Sequence, residues 1–450
     1  MELNRIISML ALGALVLSGG NLTQVRGATG SSLKLKTAVD RPLLDQEKTD
    51  RKVVIKIEVE GALRKTPDRV PLNLAIVLDR SGSMSGGKLE QAKQAAAMLV
   101  DQLDREDILS LVLYETEVQV VLPAGRLGNR KKEIKRIIQK IETGGSTALY
   151  DGVKYGGQQL DEFLSKERIN RVVLLSDGIA NVGPSSNREI AQLGAKLAKG
   201  GMSVTTIGLG DDYNETLMTA LAEASDANYY YVADVEQLPA VFESELGELK
   251  SIVARDVVIE IRCPEGVRPL RFLGRPGELK SRRETITFST LSSEQSRELY
   301  LECLVEKGAI GSVSEIADVV VRYDDALTNE QNTMTSRAVV VYTDDSKLAS
   351  ASVDLGISAE AAIFANAEET ERSIAYADSG NIVACRENLT SQKVALSDAY
   401  DLAPAAQKLM LEGEIAAVEE AQRDLENDEL SKAQRKKLSA GSWMTRNSKR

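Results

Sequence analysis

"NLAIVLDRSGSMSGGKLEQAKQA", residues 73–95, decides how the chain is read. Asn73 to Leu78 is a nearly unbroken apolar run, which fits a strand covered by helices on both faces. The run stops at Asp79 and a Gly/Ser loop follows. From Lys88 the apolar residues Leu89, Ala92, Ala96, Leu99, Val100 and Leu103 recur at helical spacing.

Two chemistries compete for that loop. Gly82 to Lys88 has the G-x-x-x-x-G-K spacing of a phosphate cradle, and "VVLLSD", residues 172–177, resembles the apolar strand whose terminal Asp holds magnesium in nucleotide hydrolases. A phosphate cradle needs Ser or Thr directly after the lysine, because that hydroxyl coordinates the magnesium. This chain has Leu89 there, on the apolar stripe of the helix. No nucleotide is therefore expected, and Lys88 is read as a helix-opening residue in solvent.

The second chemistry uses other atoms of the same loop. Asp79, Ser81 and Ser83 form D-x-S-x-S after a buried strand, one carboxylate and two hydroxyls, all hard oxygen donors. Asp177 ends another apolar strand, "RVVLLS". If strand order reverses between these two strands, both carboxylates face the crevice at the switch point, where ligands collect in sheets of this class. Like charges about 4 to 6 Å apart in a partly dry crevice repel, and a divalent cation removes that cost. Between the two strands lies "TGGSTALYDG", residues 143–152, whose Gly-Gly bend permits close backbone approach and whose Thr147, at a helix start, adds a hydroxyl. Taken singly, each feature is a turn or a helix cap. Taken together, Asp79, Ser81, Ser83, Thr147 and Asp177 make a metal site, with few carboxylates and several hydroxyls suiting Mg2+; Mn2+ or Ca2+ are the alternatives.

Composition narrows the function classes. The chain has 450 residues, 43% of them hydrophobic, enough for two or three domains. It contains no histidine, which excludes Ser/His/Asp triads, Cys/His pairs and imidazole-bound zinc. A net charge of −11, with no strongly basic block before the short tail Arg446–Arg450, argues against nucleic acid as a partner. Residues 1–28 carry Arg5, an apolar run from Ile6 to Leu17 and then small residues, too short for a bilayer span of about 20 residues. They read as an export signal cut between Gly20 and Thr29, with Val25 and Gly27 suited to the cleavage site, so the protein is expected to be exported to a periplasm, cell surface or medium. An uncleaved N-terminal anchor is the alternative, and only that form would associate with a membrane. Cys263 and Cys303 end or interrupt alternating strands facing the same kind of core. A disulfide across a sandwich and two buried thiols are equal readings. Cys385 falls on a helix.

The wider pattern gives the architecture. Strands alternate with helices over residues 71–250, which predicts an α/β domain with a doubly wound, mostly parallel, six-stranded sheet. Residues 251–345 switch to period two, in "DVVIEIRC", "ETITFST", "RELYLECLVE", "IADVVVRY" and "RAVVVYT", as in an antiparallel β-sandwich. Residues 29–70 are read as a linker plus one strand, "KVVIKIEVE" (52–60), which lacks a local partner and is expected to join that sandwich, so that the α/β domain is an insertion. Residues 346–440 are Ala/Glu-rich and read as a helical hairpin or bundle, broken at "DSGN" (378–381) and Pro404; residues 441–450 read as a basic tail. Lys432, Arg435, Lys436 and Lys437 are taken as a solvated charged face in preference to a membrane-surface helix.

The five candidate ligands, with "LDRSGSM", "GGSTALYDG" and "LLSDG" as their loops, resemble the metal-ion-dependent adhesion site of von Willebrand factor type A (VWA) domains over residues 71–249. The flanking β-module and helical tail are similar to exported bacterial VWA proteins distantly like inter-alpha-trypsin inhibitor heavy chains. The resemblance implies binding and not turnover, with Asp or Glu of a protein partner completing the metal's shell. Two further readings stand beside it. One is a scaffold whose metal stabilises the fold or docks an internal carboxylate. The other is a metal-dependent hydrolase using the nearby Asp151.

Overall fold

The computed structural model describes residues 31–448, apart from 50, 65–67, 276 and 428. The export-signal region lies outside the described residues.

At the centre is a six-stranded sheet. Its strands are β4 (Leu72–Asp79), β5 (Ile108–Tyr114), β6 (Val118–Arg126), β7 (Ile169–Ser176), β8 (Ser203–Leu209) and β9 (Tyr229–Val232), in the order β6-β5-β4-β7-β8-β9. Only the β5–β6 pair is antiparallel. Every residue of β4, β5, β7 and β8 is buried, because helices cover both faces. Alternation within β4 shows the two sides. Leu72, Leu74, Ile76 and Leu78 pack with α1 (Gly87–Gln102), α2 (Lys131–Gln139) and α6 (Leu238–Lys250). Ala75 and Val77 pack with α3 (Leu149–Asp161), α4 (Asn187–Lys199) and α5 (Glu215–Ala224). From β4 the chain moves outward to β5 and β6, then returns to the other side of β4 for β7. The switch point therefore lies between β4 and β7, the strands that end at Asp79 and just before Asp177.

The α/β domain is an insertion in a β-sandwich, as the unpaired early strand implied. One sheet has the order β1-β3-β13-β11, from Leu33–Val39, Lys52–Gly61, Ser296–Val305 and Val267–Phe272. The other has the order β12-β10-β14-β15-β2, from Arg283–Ser292, Ile252–Arg262, Val313–Asp325, Gln331–Thr343 and Leu43–Asp45. Strand β3, which precedes the α/β domain, pairs antiparallel with β13, which follows it, in a register that sets Val53 opposite Cys303 and Val59 opposite Arg297. Val53, Ile55, Ile57 and Val59 face Val257, Ile259, Ile261, Val319 and Val321 in one core. Cys263 and Cys303 share that core as free, buried thiols.

Three details differ from the sequence reading. Residues 29–70 contribute three strands and not one: β1 alternates buried Leu33, Leu35, Thr37 and Val39, and β2 pairs parallel with β15. Strand β11 was also unread; Pro269 and a register shift interrupt its pairing. The stretch from residue 441, expected as a basic tail, continues α11 (Lys432–Arg446), which follows α7 (Ser346–Ala351), α8 (Leu355–Asp378), α9 (Ile382–Leu402) and α10 (Ala405–Asp424). Helix α11 is a solvated face only in part: Lys432 and Lys437 are exposed, but the other side of the helix is packed. Trp443 is buried edge-on to Tyr229, and Lys436 is buried against Glu215 of α5 at 2.8 Å. Arg435 pairs with the same carboxylate, and Arg446 with Glu223 and Glu371.

Candidate metal centre

Three loops at the C-terminal edge of the sheet bring the five sequence-chosen residues together. Asp79 is the last residue of β4 and fully buried. Its Oδ1 accepts the Ser81 N–H at 2.8 Å, a short turn that folds the loop back over the strand end. Ser81 and Ser83 hydroxyls lie 3.1 Å apart, and Ser83 Oγ donates to Asp177 Oδ1 at 2.7 Å, closing first loop onto third. Thr147 belongs to the same cluster: a Cβ built on Gly178 would stand 3.2 Å from Thr147 Oγ1 and 3.4 Å from Ser83 Oγ.

Backbone bonds lock the second loop in place. Gly82 N donates to Gly145 O at 3.1 Å and Gly144 N to Arg80 O at 2.8 Å. Gly145 adopts φ +56°, and a Cβ there would collide with Glu115 Oε2, so only glycine suits this bend. Thr147 is not the helix cap the sequence suggested: α3 begins at Leu149 and its N-cap position is Ala148. Asn181 holds Thr147 instead, accepting its N–H at 2.8 Å and donating to its carbonyl at 3.2 Å. The Thr147 side-chain hydroxyl is thereby left for the cluster.

The electrostatics are unbalanced in a specific way. Among the described residues Asp79 touches no cation; besides the Ser81 N–H it is met by Ser176 Oγ, which donates to Oδ2 at 2.8 Å, and the Tyr114 hydroxyl lies within reach of it. Burial pushes the Asp79 carboxyl above its ordinary value, and the charge of Asp177 adds to the push. Below the pair sits Tyr114, fully buried, donating to Leu175 O at 3.1 Å, its phenol raised by burial and then by Asp79. Asp177, also fully buried, meets Lys88 Nζ at 2.5 Å. This corrects the expectation that Lys88 stands free in solvent: its stem reaches back from the start of α1 to the switch point. Asp151, the residue a hydrolase would use, is half-exposed and lies 3.8 Å from Lys154 on its own helix.

Two residues of this region were not singled out from the sequence, Ser176 and Asn181, and the contact of Lys88 was misread. Ser176 carried a signal, being the one polar residue at the end of an otherwise apolar run. Asn181 carried none, since its role depends on a loop thirty-four positions upstream.

The oxygen set fits a hard divalent ion. It offers two carboxylates and three hydroxyls on three adjoining loops, and among the described residues Asp79 has no positive partner.

Comparisons with known proteins agree with the fold. The family model of the von Willebrand factor type A domain matches residues 73–244. The chain is 29% identical over 228 residues to the protein YfbK of Escherichia coli (strain K12), covering 50% of this chain and 40% of that protein. It is 29% identical over 160 residues to human inter-alpha-trypsin inhibitor heavy chain H3, covering 34% of this chain and 18% of that one. The chain thus spans well under two thirds of either relative. Among solved structures, a von Willebrand factor type A protein from Catenulispora acidiphila superposes with a TM-score of 0.68 at 17% identity, over 94% of this chain and 99% of that one. The ArnB paralog VWA2 from Sulfolobus acidocaldarius gives 0.58 at 18% identity, over 92% and 99%.

Proposed function

Residues 73–244 are a von Willebrand factor type A domain, and we propose that this domain is a divalent-cation-dependent protein-binding module. Domains of this family commonly serve protein interaction. The observation that carries the proposal is Asp79, a fully buried carboxylate at the switch point that has hydroxyl and amide donors but, among the described residues, no cation.

Asp79, Ser81, Ser83, Thr147 and Asp177 hold the ion, with Mg2+ favoured by the scarcity of carboxylates. Once bound, the ion supplies a positive centre that attracts an Asp or Glu side chain of a protein partner. The chain's own groups do the rest. Ser176 and the Ser81 amide fix the orientation of Asp79, Asn181 fixes Thr147, and the Arg80–Glu115 ion pair (2.6 Å) braces the first two loops. Binding and not turnover is favoured, since Asp151 pairs with Lys154. The export-signal pattern of residues 1–28 supports an extracytoplasmic setting for the partner, which fractionation of the source cells tests.

Affinity capture from an envelope extract tests the function. The wild-type chain retains a partner in Mg2+ and releases it in chelator, and Asp79→Ala retains none while melting cooperatively. Retention indifferent to both chelator and D79A overturns the proposal.

A further inference from the structure

A cation site explains the five oxygens but not the lysine beside them. Lys88 Nζ lies 2.5 Å from Asp177 Oδ2, while Ser83 occupies Asp177 Oδ1 at 2.7 Å, so both oxygens of this carboxylate already carry a donor. The two partners of this ion pair differ in environment: Asp177 is fully buried, whereas the Lys88 side chain keeps 30% of its surface in solvent. The loop after β8 runs alongside it. Gly210, in the loop after β8, has φ +67°, and a Cβ there would stand 3.8 Å from Lys88 Nζ. The acid nearest on that loop, Asp212, is engaged by Lys432 at 3.0 Å. On the first loop the charged residue is Arg80, held by Glu115, and on α1 Glu90 is held by Lys93 at 2.8 Å. Among the described residues Lys88 makes its ion pair with Asp177, with Asp212 near enough to feel its charge but paired to Lys432, and Asp211 held by the Tyr231 hydroxyl.

We infer that Lys88 is a tethered counter-ion of the cup: it holds the metal-free site closed and lowers its affinity for divalent cations, so that ion occupancy follows the concentration outside. The inference rests on the cation-site reading above and specifies how that site is regulated. Two aspartates give the cup a charge of −2, and Lys88 reduces this to −1. An entering divalent ion must share Asp177 with an ammonium or displace it, and either course weakens binding. Displacement is feasible because the ammonium is compact, strongly hydrated and carried on a flexible four-carbon stem that already reaches solvent. Arginine would not exchange as readily, but it would keep the charge.

Mn2+ affinity of the intact chain, read from the free-ion signal in electron paramagnetic resonance, tests this alongside melting in chelator. Lys88→Met and Lys88→Gln both remove the charge, and Lys88→Arg preserves it. K88M and K88Q are expected to bind Mn2+ about tenfold more tightly than wild type. Both should melt at lower temperature in chelator and regain that loss in saturating Mn2+, while K88R stays near wild type. Equal or weaker Mn2+ affinity in K88M and K88Q, with wild type binding and D79A not, overturns the counter-ion role and leaves the cation site standing. No Mn2+ binding by wild type, K88M or K88Q overturns both.

Discussion

Two buried acidic centres lie on the same domain and are treated in opposite ways. Glu215, at the first turn of α5, is closed by the chain's own cations: Lys436 at 2.8 Å, itself 2% exposed, and Arg435. Asp79 and Asp177 are just as deeply buried, yet among the described residues Asp79 is given only hydroxyl and amide donors and Asp177 a lysine whose side chain is partly exposed. A carboxylate matched internally by two cations is a clamp, here fastening α11 to the α/β domain. A carboxylate pair left short of positive charge, at a switch point, is a place for an ion from outside.

The sharpest way to break the contrast is at the clamp. Glu215→Gln leaves Lys436 buried without its carboxylate and is expected to cost about 3–5 kcal/mol, measured by chemical denaturation, with the metal response of the cup unchanged. A third acid lies between the two cases. Asp40 is 6% exposed and accepts the Val54 N–H at 2.7 Å, but its nearest cation, Arg41, is 3.6 Å away. Burial pushes its carboxyl up to about 6. The folded state therefore holds this proton more tightly than the unfolded chain does, so stability falls as pH rises from about 4 to about 6 and is level above that. Asp40→Asn is expected to remove that slope, worth no more than about 3 kcal/mol, in melts taken across the window. Persistence of the slope in D40N assigns it to other groups.

At the open centre the expected losses are smaller and more selective. Gly145→Ala forces a side chain into a positive-φ bend against Glu115 and should cost about 1–3 kcal/mol, with weaker Mg2+ binding because Thr147 shifts. Asp79→Asn should leave metal-free stability within about 1 kcal/mol of wild type, since it relieves a buried charge beside Asp177, yet abolish the rise in melting temperature on adding Mg2+. A large metal-free loss in D79N would make Asp79 a structural acid like Glu215.

The two centres also differ in how far the sequence discloses them. The α/β sheet was legible because its strands are continuous apolar runs and its helices carry 3.6-residue stripes. The insertion was legible because "KVVIKIEVE" alternates with no partner nearby. The cup was legible because each of its loops is a short contiguous motif, two of them at strand ends and one just before a helix. Lys88 was misread since its helical stripe says which residues face inward and nothing about where a long flexible side chain returns. The clamp was illegible for a plainer reason: Glu215 and Lys436 are 221 positions apart, and Lys432 to Lys437 looks like any solvated basic face until the partner acid is placed. β2, with three residues, is too short for alternation to be recognised, and in β11 an internal proline and a register shift break the alternation.

The most direct test is a calorimetric titration of Mg2+ into the intact chain and its Asp79→Ala variant, with melting curves for both. One ion bound per wild-type chain and none by a cooperatively folded D79A is the predicted result. Absence of binding to wild type, or equal binding by D79A, contradicts the account.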